Sequence, residues 1–427
     1  MSRPKAAVVG SGVAGLTAAH LLQRRFDVTL LEADDRLGGH AHTHEHLSPD
    51  AGLIRVDSGF IVHNRATYPN LVRLFDELGV ATVATGMSMS VRCEGCGVEY
   101  AGALGPRGVF AQPRSLGRPA FLRMLVEVKR FHRHARRSVE GPARPGPVTD
   151  EVTLGEFLER GGYSSYFVHH FMIPVVSSVW SAAPDTALRY PARYLFTFLA
   201  NHGMLSVRGS HQWYTVAGGS RTYVDAVAKH LSEVRTAAPV RRVARTGDRS
   251  GVEVTTADGR TERYERAVVA THPGAALRLL DRPTEDERRV LGAFRYSQNE
   301  TVLHHDDAVL PTRRRARAAW NYLLPDCAAS SDRVVVSYDM NRLQHLPGST
   351  PYIVTLNATE RIRPERVVAR MDYEHPIYTP DSVRAQRRLP GLNDDRLAFA
   401  GAYHGWGFHE DGCRAGVQAA EILGAGW

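Results

Sequence analysis

Two glycine-bearing stretches near opposite ends of the chain carry the residue types that chemistry needs. In the first, "AAVVGSGVAGLTAAHLLQRRFDVTLLEADD", Gly10, Gly12 and Gly15 form a G-x-G-x-x-G turn after an apolar run, and "DVTLLE" ends in Glu32. Gly10 permits a tight turn, Gly12 lets a pyrophosphate approach the backbone, and Gly15 allows close helix–strand packing. A helix from Val13 to about Arg24 would aim its free N–H groups at the phosphates. The Glu32 carboxylate stands where a ribose-binding acid belongs, ready to accept from both ribose hydroxyls. This stretch predicts a site for an adenine dinucleotide. In the second, "FAGAYHGWGFHEDGCRAG" (Phe399 to Gly416), glycines alternate with aromatics and histidines ahead of a final helix.

These stretches must be positioned by larger elements. A chain of 427 residues exceeds one ordinary core, so two domains are expected. No apolar run is long enough for a transmembrane helix. Nor does a signal peptide precede the first strand, so a cytoplasmic protein is expected. The net charge of +8 is carried almost wholly by arginine, with lysine only at positions 5, 129 and 229. No nucleic-acid motif accompanies that charge, so nucleic acid is not an expected partner. The basic segment Arg114 to Ser138 places Phe121, Leu122, Leu125 and Val128 at helical spacing. It reads as a solvated helix packed on its own domain, with peripheral contact to an anionic membrane as the alternative. Four cysteines make no disulfide framework. Cys93 and Cys96 form one CxxC that reads as a hairpin turn, with Cys327 and Cys413 isolated. His40, His42, His44 and His46 alternate, but no fixed partner supports a metal, and no metal site is expected.

The residues after Glu32, "EADDRLGGHAHT", resemble the ExxxRxGG extension of the FAD-dependent amine oxidoreductase and phytoene-desaturase-like superfamily, through Arg36, Gly38 and Gly39. The closing segment resembles the carboxyl-terminal FAD motif of the same superfamily. "VDSGFIVHN", "VAGGSRTYVDAVAKHL", "PVRRV" and "YERAVVATHP" resemble its intervening pieces. "YPNLVRLFDELGV", "WNYLLP", "YDMNRLQHL" and "GAYHGWGFHEDG" are similar to a bacterial branch associated with cyclopropane-fatty-acid-synthase-like methyltransferases.

The resemblance implies FAD as cofactor and an α/β fold. A Rossmann-type FAD-binding domain (1–75, 210–290 and 390–427) would be interleaved with an α+β substrate domain (76–209 and 291–389). It also implies a cofactor-binding set: Gly10, Ser11, Gly12, Val13, Ala14, Gly15, Glu32, Ala33, Arg36, Gly38, Gly39, His40, Gly59, Phe60, Val240, Gly401, Ala402, Gly407 and Phe408. Gly407 and Phe408 would pass beside the pyrimidine end of the isoalloxazine. The final helix would aim its positive end at flavin N1 and O2.

The substrate implied is a lipid acyl chain or similar hydrophobic molecule, with redox chemistry at a C–C or C=C bond. Desaturase, saturase and double-bond isomerase all stay open, and a functional link to a fatty-acid methyltransferase is implied. The alternative is an oxidase of a small amine or amino acid. True amine oxidases usually hold a water at flavin N5 with a lysine, and no lysine here lies in a matching segment. A scaffold in which FAD is only structural is a further alternative. His63, Tyr403 and His404 are the candidate catalytic residues, because their segments should border the flavin. Cys413 is a candidate for a covalent flavin tether, with a buried inert thiol as the plainer reading. The aromatics and Met172 in "YSSYFVHHFMIPVVSSVW" and "PARYLFTFLANHGML" would line an acyl tunnel or fill a core. "EGPARPGPVTDEV" reads as a connecting loop.

Overall fold

The computed structural model describes residues 3–140, 151–206, 211–248, 250–328 and 333–427. Most of the proline-glycine loop expected at 140–152 lies outside them.

The first apolar run forms the strand Lys5–Val9, and it is central in a five-stranded parallel sheet. The sheet order is Glu233–Arg235, Asp27–Leu31, Lys5–Val9, Arg266–Val269, Leu397–Phe399. Because successive side chains point to opposite faces, Ala6 and Val8 enter one apolar core while Ala7 and Val9 enter another. Both faces are therefore covered, as a parallel sheet requires. On one side lie the helices Val13–Leu22, Pro69–Leu78, Arg221–Ala228 and His409–Ile422. On the other lies a three-stranded antiparallel sheet, Val240–Arg245, Val252–Thr256 and Thr261–Tyr264, with the helices Pro273–Leu279 and Glu285–Leu291.

The helix Val13–Leu22 is apolar on every face, and nine of its ten residues are buried. The closing helix His409–Ile422 explains this by covering the side turned away from the sheet. Gly412 and Gly416 make the approach possible. A Cβ at Gly412 would stand 2.6 Å from Val13 Cγ1, and one at Gly416 would run into the Ala14 carbonyl.

A second, seven-stranded mixed sheet takes Met89–Cys93 and Glu99–Tyr100 from the first half of the chain. Its other five strands lie between Arg295 and Ile377. Helices between Pro119 and Asn201 pack on it through Phe121, Phe131, Phe167, Met172 and Phe196. Met172 is fully buried among these rings, so this part of the stripe is core. The helix Pro119–Glu140 buries Phe121, Met124, Phe131 and Ala135, whereas Leu122 and Val126 face solvent. The fold is thus α/β, and its two largest sheets differ in kind, one parallel and one mixed. Among the described residues no helix is long and apolar enough to cross a membrane.

Candidate flavin site

The pyrophosphate cradle is built by removing side chains. Gly10 has φ +98°, and a Cβ there would sit 2.8 Å from the Ala270 carbonyl oxygen. A Cβ at Gly15 would collide with the Gly10 carbonyl. Gly12 differs: nothing lies within 4 Å of its missing Cβ, so the space before it is open. The second glycine turn closes over the first. Gly38 N–H donates to Ser11 Oγ at 3.1 Å, and a Cβ at Gly39 would lie 3.3 Å from Gly12 Cα. The Arg36 guanidinium donates to the Gly39 carbonyl at 2.8 Å, which fixes a positive charge at this turn. Val13 and Ala14 start the first helix, whose free N–H groups face the same space.

Glu32 serves the turn first. Its carboxylate accepts from Ser11 N–H (2.8 Å), Ser11 Oγ (2.5 Å) and Asp34 N–H (3.0 Å). Of four lone-pair positions, one stays open for a ribose hydroxyl, where the sequence suggested two. Ala33 beside it is exposed. Ala238 N–H donates to the Glu32 carbonyl, which brings the strand holding Val240 alongside this loop.

Further along, Phe60 N–H donates to the His40 carbonyl at 2.7 Å, and Gly59 has no room for a side chain against the same carbonyl. The Phe60 ring stacks on His409 at 3.7 Å, and His409 also meets the Tyr223 hydroxyl at 3.1 Å. Gly401 and Ala402 lead into the closing turn, where Gly405 and Gly407 N–H groups both donate to the Ala402 carbonyl. Gly407 has φ +91° and sits against Pro376 and the Tyr378 hydroxyl. Phe408 stacks on Phe198 at 4.9 Å, and its N–H is capped by Asp411.

The three candidate catalytic residues do not form one group. The ring neighbours of His63 are Phe60, Tyr68, Phe75 and Tyr214. Tyr403 instead packs with Phe294 and His404, and it belongs to the core on the opposite side of the parallel sheet. His63 Nδ1, His404 Nε2, Tyr403 OH and His40 Nε2 are all buried with no hydrogen-bond partner. Orphaned buried polar atoms are rare in folded proteins. Together with the open glycine cradle, the His40 and His63 atoms fit a bound polar group such as FAD. Burial holds His63 and His404 down to about 4 and His409 to about 3, so all three imidazoles are neutral at pH 7. Cys413 is fully buried against Thr17 Oγ1 at 3.4 Å, and burial pushes its thiol up, which makes it inert packing and not a tether.

The alternating histidines also find ordinary partners. His42 meets Tyr373 OH at 2.9 Å, His44 meets Ser58 Oγ at 2.8 Å, and His46 meets Tyr352 OH at 2.9 Å. Next to Phe408 stands an aromatic wall of Tyr68, Trp180, Phe198, His202, Trp213 and Trp406; Trp180 and Phe198 come from the two aromatic stretches singled out in the sequence, whereas Tyr68 and Trp213 were not foreseen there. Trp180 Nε1 donates to the Trp406 carbonyl at 2.9 Å, which locks the wall to the closing turn.

A parallel sheet with a double glycine cradle and a returning closing segment defines an FAD-binding oxidoreductase. Residues 13–304 match the family of flavin containing amine oxidoreductases, and the chain belongs to that family. Bound in the cradle, FAD supplies a two-electron donor and acceptor that exchanges hydride with substrate. Among similar proteins is (S)-6-hydroxynicotine oxidase of Paenarthrobacter nicotinovorans, 27% identical over 66% of this chain and 64% of that one. Carotenoid phi-ring synthase of Streptomyces griseus is 29% identical over 65% of this chain and 54% of its own. The chain thus spans less than two thirds of either relative. Among solved structures, the CLA-producing fatty acid isomerase from P. acnes has the same fold. Its TM-score is 0.67 at 16% identity, covering 98% of both chains.

Proposed function

We propose that this FAD-dependent oxidoreductase acts on a C–C or C=C bond of a long hydrophobic chain, a fatty acyl group being the leading candidate. The carrying observation is the wall beside the closing turn, which consists of neutral rings. All three lysines are exposed, so none stands in the interior. Outside the wall is a cleft of about 350 Å³ lined by Arg193, Tyr194, Thr197, Val383, Gln386, Arg387 and Trp406. Trp406 belongs to both the cleft and the wall. A carboxylate or phosphate held by the two arginines would leave its hydrocarbon chain to the aromatic side. The carotenoid relative is consistent with a hydrocarbon substrate, and the fatty acid isomerase is an instance of the fold accepting an acyl chain.

The test is an anaerobic absorbance spectrum of the purified flavoprotein before and after adding unsaturated fatty acids or phospholipids. Bleaching of the oxidised band is the expected result for acyl oxidation. An unchanged band directs the same lipids to the dithionite-reduced enzyme, where return of the oxidised band marks a saturase. Lipid conversion without net oxidant consumption marks an isomerase.

A second reading is amine oxidation, favoured by the hydroxynicotine oxidase relative and by aromatic faces that can hold a cation. Bleaching by amines with peroxide release on admitting air, and none by lipids, would replace the first reading with this one. A link to a fatty-acid methyltransferase and peripheral membrane contact belong to the acyl reading. Leu116, Leu122 and Val126 are exposed on or beside the basic helix that carries Arg123 and Lys129. Co-sedimentation with anionic but not neutral vesicles is the expected sign of that contact.

A further inference from the structure

The CxxC pair is a hairpin turn, as its flanks suggest: Cys93 ends the strand Met89–Cys93, which pairs with Glu99–Tyr100. What sequence spacing does not reveal is where Cys327 goes. The strand Trp320–Leu324 runs parallel to Met89–Cys93, with Leu324 beside Cys93. Glu94 N–H donates to the Leu324 carbonyl at 2.8 Å, so the chain leaving that strand passes over the hairpin turn. Gly95 makes room for it, because a Cβ there would stand 3.0 Å from Cys327 N. From the helical layer, His170 enters on a π-helical turn, Val168–Met172. Such turns often re-aim a functional side chain.

We propose that Cys93, Cys96, His170 and Cys327 form a tetrahedral structural Zn²⁺ site. Their four ligand atoms lie within 4.8 Å of one another. Zinc bonds of about 2.3 Å to sulfur and 2.05 Å to nitrogen at tetrahedral angles place sulfurs about 3.8 Å apart and sulfur and nitrogen about 3.6 Å apart. Cys93 Sγ and Cys327 Sγ are 3.7 Å apart, and Cys96 Sγ is 3.5 Å from His170 Nε2. The sulfur spacing is far beyond a disulfide bond.

The surroundings prepare the ligands. His170 Nδ1 is 3.2 Å from the Tyr166 carbonyl, which can only accept, so Nδ1 carries the proton and Nε2 presents its lone pair to the sulfurs. The Tyr166 ring stacks on the imidazole at 3.9 Å, and Tyr100 OH donates to the His170 carbonyl at 2.6 Å. On binding, three thiols release their protons to solvent, and the thiolates with neutral imidazole supply four electron pairs to the ion. Thiolate and imidazole in a closed tetrahedral set select zinc over hard cations. The ion would clip the edge of the mixed sheet to the helical layer.

The test begins with metal analysis of the full-length flavoprotein, expressed with added zinc and purified without chelator, its affinity tag removed. About one zinc per chain is expected. Cys96→Ser and Cys327→Ser should each lower this at least tenfold, while Cys413→Ser keeps it. Cobalt(II) exchanged into the wild-type protein should give the intense d–d bands of a tetrahedral thiolate complex in the red, where oxidised flavin does not absorb. This second readout decides the matter if a cysteine variant fails to fold. Wild-type protein with less than a tenth of an equivalent of zinc and no cobalt bands overturns the proposal. So does an intact mass showing a Cys93–Cys327 disulfide.

Discussion

The pyrophosphate cradle and the aromatic wall solve opposite problems within one site. The cradle works by subtraction: Gly10, Gly15 and Gly39 hold backbone against backbone, and a single added methyl group would meet a carbonyl or a Cα. The wall works by bulk, with Trp180, Phe198 and Trp406 filling space around the closing turn. A cradle of this kind constrains each position absolutely and locally. A wall constrains only total volume and shape, and many sequences supply that.

The sharpest break in this comparison is Gly15→Val. Its Cβ overlaps the Gly10 carbonyl, so the first helix cannot dock, and a loss of roughly 3 kcal/mol or more is expected. Soluble yield and flavin absorbance per chain should both collapse. Gly12→Val sharpens the contrast, because nothing lies within 4 Å of the Cβ it introduces. Its melting temperature without added FAD should stay within a few degrees of wild type, while bound flavin falls at least about tenfold through loss of the pyrophosphate's approach.

On the wall, Phe408→Ala should cost about 3 kcal/mol of stability. It should keep its flavin, in contrast to Gly12→Val, and lose turnover of long-chain substrates most. A spectrum of the purified variant and a chain-length series check both statements.

Asp57, buried between the parallel-sheet side and the mixed-sheet side, predicts a pH effect. It is fully buried, accepting from Thr43, from Ser220 and, across to the mixed-sheet side, from Gln344 at 2.9 Å. Burial raises its carboxyl to about 6. The folded state therefore binds more protons than the unfolded state between about pH 4 and 6. The resulting stabilisation is full below pH 4 and lost as pH rises through 6, amounting to at most about 3 kcal/mol. Urea midpoints should show wild type losing stability relative to Asp57→Asn over that interval. A difference independent of pH would show that Asp57 is ionised throughout.

The cradle was legible because its constraints act within thirty-odd residues: three glycines at fixed spacing, an acid at the next strand end, then Arg36, Gly38 and Gly39. The wall was not. Tyr68, Trp180, Phe198, Trp213 and Trp406 come from separate segments, and each alone looks like an ordinary core aromatic. Tyr403 shows the reverse failure. It adjoins Gly401 in sequence, yet the turn Ala402–His404 beyond the strand end packs it into the core behind the sheet, and it is not among the ring neighbours of His63. The alternating histidines invited a metal reading, but their partners Tyr352 and Tyr373 are remote in sequence.

The contact between the first and closing helices has a temporal meaning. Thr17 and Cys413 touch across 396 positions, and the strand Lys5–Val9 is flanked by Arg266–Val269, which itself awaits Leu397–Phe399. A ribosome adding 5–20 residues per second takes about 20–80 s to make that interval. Throughout it the face of Val13–Leu22 that the closing helix will cover stays bare, and the cradle lacks its far wall. FAD capture is therefore a late event in the life of each new chain, and the nascent protein must be kept from aggregating until the closing helix arrives.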